Sequence, residues 1–271
     1  MNRVKWMLVA AVAAVVMAAS GCGSMIQQLR ARDHLNKGVN AFKAAAYAQA
    51  VEHFKQAIDL DPSFLNARLY LATAYMSQFV PGAESEENKR NAEAAEKGFQ
   101  DVLQRDPNNL LALESLGSLA FNQKKLDEAK QWYEKLIKLD GTRKTAYYTI
   151  GVIDWTKAWA PQMEVAAKLG MRPDDLGPIK DKKARDELKS KNEPVVDEGI
   201  QMLSKALQID PAYDDAMAYL NLMYRQKAYI AETPEDNKKL SAQADEWMQK
   251  ALETRKKKAE TSLAAPGQKS S

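Results

Sequence analysis

Three Asp-Pro pairs, Asp61-Pro62, Asp106-Pro107 and Asp210-Pro211, and one Asp-Gly pair, Asp140-Gly141, each close a segment of the same style. The segments read AVEHFKQAIDLDP, AAEKGFQDVLQRDP, EGIQMLSKALQIDP and EAKQWYEKLIKLDG. Their aspartates follow one another at 45, 34 and 70 residues, a 34-residue period with two insertions. That period is the length of one helix-turn-helix unit, which has too little apolar surface to stand alone. Successive units must therefore stack to bury a shared core. The chain is predicted to be all-α, with about five helix pairs.

The residues inside each period carry a finer pattern. The first repeat has Gly38 in its first helix, Tyr47 at the turn, Ala50, Phe54 and Ala57 in its second helix, and Pro62 beyond. The third supplies Leu116, Gly117, Ala129, Tyr133 and Leu136, and ends on Gly141. The second divides into Leu71, Ala72 and Tyr75, then Ala95, Phe99 and Pro107. The fourth divides into Ile150 and Gly151, then Gly199, Leu203, Ala206 and Pro211. The fifth has Leu220, Asn221 and Tyr224, then Ala244, Met248 and Ala251, with Asn221 where a small residue is expected. Small residues let paired helices approach, the bulky one fills the layer between them, and proline ends the second helix. This pattern resembles the tetratricopeptide repeat. The resemblance implies a right-handed α-solenoid over residues 31–255, with insertions in repeats two, four and five.

The two smaller insertions match. Tyr75 to Ala95 and Tyr224 to Ala244 are both 20 residues apart, and Ser85-Glu86-Glu87-Asn88 parallels Pro234-Glu235-Asp236-Asn237. Each reads as a loop and an acidic first turn that lengthens the second helix. The large insertion, 158–193, reads as a short helix from Pro161 to Gly170, a loop with two prolines, and a charged helix from Lys180 to Lys191. Its candidate contact residues are Trp159, Met171, Arg172, Asp174, Asp175, Leu176 and Ile179. It is either a binding arm or an excursion packed on itself through Leu176 and Ile179.

The N-terminus has its own logic. Arg3 and Lys5 precede a 14-residue apolar run, Trp6 to Ala19, the layout of a secretory signal. Cys22, the single cysteine, follows Ala19-Ser20-Gly21 and resembles the lipidation site of bacterial lipoproteins, although that family prefers leucine where Ala19 stands. The resemblance implies that residues 1–21 are removed, that Cys22 is acylated, and that 22–30 link the anchor to the solenoid. Gly23 in place of aspartate implies the outer membrane, facing the periplasm. An ordinary signal or an uncleaved anchor helix are the alternatives. Past Lys256 the periodicity fades, and 256–271 reads as a disordered tail.

Composition narrows the function. With 39 basic and 36 acidic residues, the net charge of +3 gives no reason to propose nucleic acid as partner. One cysteine and two histidines exclude a disulfide framework and a self-contained zinc site, so no metal or cofactor is expected. No nucleophile elbow or phosphate loop occurs, and an enzyme is not expected. The resemblance implies instead a groove lined by first-helix residues, among them Phe42, Leu69, Met76, Phe121, Asn122, Tyr148, Trp155, Leu222 and Arg225. An apolar, aromatic groove suits a segment of another protein. The expected function is a lipid-anchored periplasmic scaffold for envelope complexes of the secretin, pilus or outer-membrane kind. The alternative is a glycan or small-ligand binder using Tyr148, Trp155 and Trp159.

Overall fold

The computed structural model describes residues 24–264 apart from 173, 174 and 176. It divides into two compact units, Met1–Gln123 and Lys124–Ser271. The described part of the first holds α1 (24–43), α2 (Tyr47–Leu60), α3 (Leu65–Met76), α4 (Glu86–Arg105) and α5 (Leu110–Asn122). The second holds α6 (Leu126–Leu139), α7 (Lys144–Lys168), α8 (Lys182–Ile209), α9 (Asp214–Tyr229) and α10 (Pro234–Ala264). Among the described residues all regular structure is helical. Within each unit successive helices pack on one another, and alternate helices also touch, α3 on α5 and α7 on α9.

The aspartates that mark the period also end the helices. Asp61, Asp106, Asp140 and Asp210 all sit just past a helix with φ between −138° and −132° and ψ between 86° and 95°. The Asp61 carboxylate accepts from the backbone N–H of Ser63 at 3.0 Å, Asp140 from that of Thr142 at 3.0 Å, and Asp210 from that of Ala212 at 2.9 Å. The side chain thus makes its own turn. This explains why Asp140-Gly141 stops α6 as well as an Asp-Pro pair would. The two uninterrupted repeats turn between their helices through a left-handed residue, Ala45 at φ 57° and Lys124 at φ 61°.

The small residues sit at close helix crossings. A Cβ on Gly38 would lie 2.4 Å from the Phe54 ring, and one on Gly151 would lie 2.5 Å from Leu203 Cγ. Phe54 and Leu203 are fully buried, so each aromatic or branched side chain occupies the space its glycine leaves. Asn221, the exception to the small-residue pattern, is also buried; its Nδ2 donates to the Ala244 carbonyl of α10 at 2.7 Å.

The matched insertions share one device. Asn88 Nδ2 donates to the carbonyls of Val80 and Ala83 at 2.9 and 2.8 Å, and its Oδ1 accepts from the Val80 N–H at 2.7 Å. Asn237 Nδ2 donates to the Ala228 carbonyl at 2.9 Å. Both hold the incoming loop against the first turn of the following helix. Ser85 caps α4 by accepting from the Asn88 N–H, and Thr233 accepts from the Asp236 N–H before α10.

Four expectations need correction. The two short helices expected within the 158–193 insertion, Pro161 to Gly170 and Lys180 to Lys191, are not separate elements. The insertion is an extension of α7 through Pro161 and of α8 back to Lys182, joined by residues 169–181. Ala158, Gln162 and Ala166 of α7 and Leu188, Asn192 and Val196 of α8 are buried at four-residue intervals, the spacing of a helix-packing ridge. Packing overrides the helix-breaking tendency of Pro161 and Pro194. Asn192 donates to the Ala158 carbonyl at 2.7 Å, one turn before Pro161, where a proline ring displaces carbonyls from the ladder. Residues 24–30, expected to be a linker, are the exposed first turns of α1. The tail remains helical to Ala264, because Arg255 and Lys258 both pair with Asp214 on α9. In the fifth repeat Trp247, not Met248, packs on the Leu220–Met223 core; Met248 is 37% exposed.

Candidate functional site

The second unit gathers five aromatic side chains on the face shared by α7 and α9. On α7 the residues Ile150, Gly151, Ile153 and Asp154 point into the core, which leaves Tyr148, Trp155 and Trp159 together on another side. From α9, Tyr219 completes the contact. Tyr148 meets Tyr213 with ring centroids 5.0 Å apart and Tyr219 edge-on at 5.5 Å. Trp155 meets Tyr219 edge-on at 5.7 Å and stacks on Trp159 at 5.5 Å. Five rings form one continuous ladder. Burial raises the Tyr148 phenol far above its usual range and the Tyr213 phenol to about 12, with Asp215 adding to both, so they stay neutral donors at any physiological pH.

At the tryptophan end lies a cavity of about 210 Å³. Trp155, Trp159 and Gln162 come from α7, Leu222, Arg225, Gln226 and Tyr229 from α9, Ser241 from α10, and Asp175 from the 169–181 loop. Gln226 is buried and donates to the Trp155 carbonyl at 3.2 Å, which ties the two helices together behind the cavity. The loop is pinned at Tyr229. Its carbonyl accepts from the Ile179 N–H at 3.1 Å, its hydroxyl meets Met171 Sδ at 3.3 Å, and Gly177, at φ 72°, passes so close that a Cβ would lie 3.0 Å from Tyr229 Cα. Ala166, Ile179, Leu188, Tyr229 and Ile230 form a small core beneath it, with Met171 packed against it.

The structure therefore brings Trp155, Leu222 and Arg225 together with Trp159 and Asp175. Tyr148 joins them through the ladder. Met171 and Ile179 are packing residues, Arg172 is exposed, and Asp174 and Leu176 lie outside the described residues, as does Cys22. In the first unit Phe42 packs on the Ala50–Phe54–Ala74 core and edge-on to Tyr47 at 5.3 Å, while Leu69, Met76, Phe121 and Asn122 are half-buried. His34 and His53 are neighbours, ring centroids 5.7 Å apart, and no group of three metal-binding side chains occurs among the described residues. Sequence reasoning missed Gln162, Gln226 and Tyr229. The signal for the two glutamines was a polar residue at a buried helical position, one turn beyond Ala158 and Leu222.

One buried charge was also missed. Asp154, 0% exposed, accepts from Lys130 of α6 at 2.8 Å, and Lys130 also meets Glu198 of α8 at 2.8 Å. Burial pushes the Asp154 carboxyl up to about 6 against the pull of Lys130.

The family model of the tetratricopeptide repeat matches residues 35–78 and 82–143. These segments are tetratricopeptide repeats. Solved structures carry the likeness further along the chain. A crystal structure of MamA protein superposes with a TM-score of 0.57 at 18% identity, covering 88% of this chain and 98% of that one. MamA from Desulfovibrio magneticus RS-1, residue 41 to its end, superposes with a TM-score of 0.56 at 16% identity, covering 84% and 96%. At such identity the likeness is one of fold, a tetratricopeptide-type stacking of helices, and not of ligand. No curated protein matches the chain.

Proposed function

We propose that this tetratricopeptide-repeat protein is a lipid-anchored scaffold of the bacterial envelope. It holds segments of other envelope proteins on the α7–α9 face and performs no chemistry. The observation that carries the reading is the convergence of Tyr148, Trp155, Trp159 and Leu222 on one accessible face with Arg225 at its edge. Large aromatic residues around a pocket are the usual anchors of protein recognition. The anchor rests on Cys22, which follows a 14-residue apolar run, and on Gly23 after it, which favours the outer membrane facing the periplasm. Several acyl chains on one residue hold a protein firmly where one does not. Assembly of secretin, pilus or outer-membrane machinery is the process proposed.

In-cell crosslinking followed by mass spectrometry tests the binding face. Envelope proteins recovered with the wild type and lost from a folded Tyr148→Ala/Leu222→Ser variant support the reading. The same proteins recovered equally with both would sink it. Cys22→Ser releases the protein from membranes if the anchor is acyl; unchanged membrane retention overturns the lipoprotein assignment.

A further inference from the structure

The cavity at the end of the aromatic ladder has a charge arrangement that the scaffold reading does not require. Three aromatic residues, Trp155, Trp159 and Tyr229, line it, and two of its charged residues differ in how they are compensated. The Arg225 guanidinium is paired with Asp245 of α10 at 2.7 Å. The Asp175 carboxylate is exposed and has no ion-pair partner among the described residues. Its charge reaches the Tyr229 hydroxyl, whose pKa it helps to raise after burial. With Arg225 paired to Asp245, the described lining offers an occupant indole and phenol rings beside the Asp175 carboxylate. Tryptophan faces attract cations more strongly than other rings do, and a nearby carboxylate adds to that attraction. A neutral occupant that covered the carboxylate would strip its water and supply no counter-charge.

We infer that this cavity receives an organic cation, the ammonium or guanidinium group of a lysine or arginine side chain carried on the bound partner segment. This rests on the scaffold reading and names the chemistry of one anchor in it. The volume of about 210 Å³ admits one such side chain. Trp155 and Trp159 supply the ring surface, and Asp175 supplies the counter-charge.

The test is calorimetric titration of the whole mature protein with small probes. N-acetyl-lysine methylamide and N-acetyl-arginine methylamide present the cation, N-acetyl-norleucine methylamide is the neutral match for lysine, tetramethylammonium is a free cation, and glucose represents a saccharide. Saturable binding of a cationic amide, at least about tenfold tighter than norleucine, supports the inference. So does a loss of about fivefold or more in both Trp159→Ala and Asp175→Asn, the range expected for one cation–π contact or one charge. Both side chains are exposed, Trp159 at 39%, so neither change threatens folding, and circular dichroism checks this. Equal binding of norleucine overturns the inference, as does saturation by glucose alone. Binding of tetramethylammonium without either amide assigns the site to a free cation and overturns the partner side chain. Crosslinked partners that survive Trp159→Ala and Asp175→Asn yet vanish with Tyr148→Ala/Leu222→Ser overturn it too, and leave the scaffold reading standing.

Discussion

The Asp154 carboxylate, fully buried on α7, is held 2.8 Å from the Lys130 ammonium of α6. One of its oxygens has no partner, and Lys130 divides its charge between Asp154 and Glu198. Attraction at this distance does not offset the loss of hydration, so the carboxyl rises to about 6.

The pH dependence follows. The folded value lies above the unfolded one, so ionising Asp154 weakens the fold; that penalty is absent below the unfolded pKa and complete above about 6. Wild-type stability gains about 1–1.5 kcal/mol from this group between pH 7.5 and pH 5. Urea unfolding at the two pH values, compared with Asp154→Asn, isolates it, because the other groups are common to both proteins. Parallel pH profiles would exclude the assignment.

Gly151→Ala lowers stability by about 1–3 kcal/mol, although alanine is the better helix former. Its Cβ meets the branch point of buried Leu203 and, 3.3 Å away, the carbonyl of Gly199. Adding Leu203→Ala makes room, so the double variant loses less than the sum of the two single changes. Additive losses in thermal melts would mean that the crossing is looser than the structure has it.

Asn88→Ala removes two donated bonds and leaves the Val80 N–H without its acceptor. The expected cost is about 2–3 kcal/mol. Hydrogen exchange at residues 78–88 should quicken more than exchange in α2. Uniform protection in wild type and variant would refute the clamp.

Ala45→Gly and Lys124→Gly each relieve a left-handed backbone and raise stability by up to about 1 kcal/mol. The comparison substitution is Ala46→Gly, next to Ala45 but with φ −82°, which should destabilise or do nothing. Equal responses at residues 45 and 46 would remove the backbone explanation.

How much was legible depended on whether the signal was local. The 34-residue period, the small residues at helix crossings and the aspartate stops all repeat, and each repetition reinforces the others. The groove positions Trp155 and Leu222 were legible as first-helix residues, and the structure places both on the cavity. Tyr229 was not, because its role depends on a loop some 50 residues earlier that passes over it. Nor could the sequence show that α7 runs through Pro161 and α8 through Pro194. The local preference of a proline is to stop a helix, and only the facing helix, with Asn192 reaching Ala158, reverses it.

By itself the sequence determined the helical class, the repeat, and the places where the Asp-Pro and Asp-Gly pairs end helices and small residues let them cross, since these rest on contacts within or between adjacent repeats. Tertiary structure alone decided that residues 158–193 extend two helices instead of forming two short ones. It also decided that Arg255 and Lys258 keep α10 ordered against Asp214, and that Asp175 stands beside two tryptophans. Those outcomes depend on which side chains meet across space, and a burial-driven contact between distant residues leaves no period in the chain to be read.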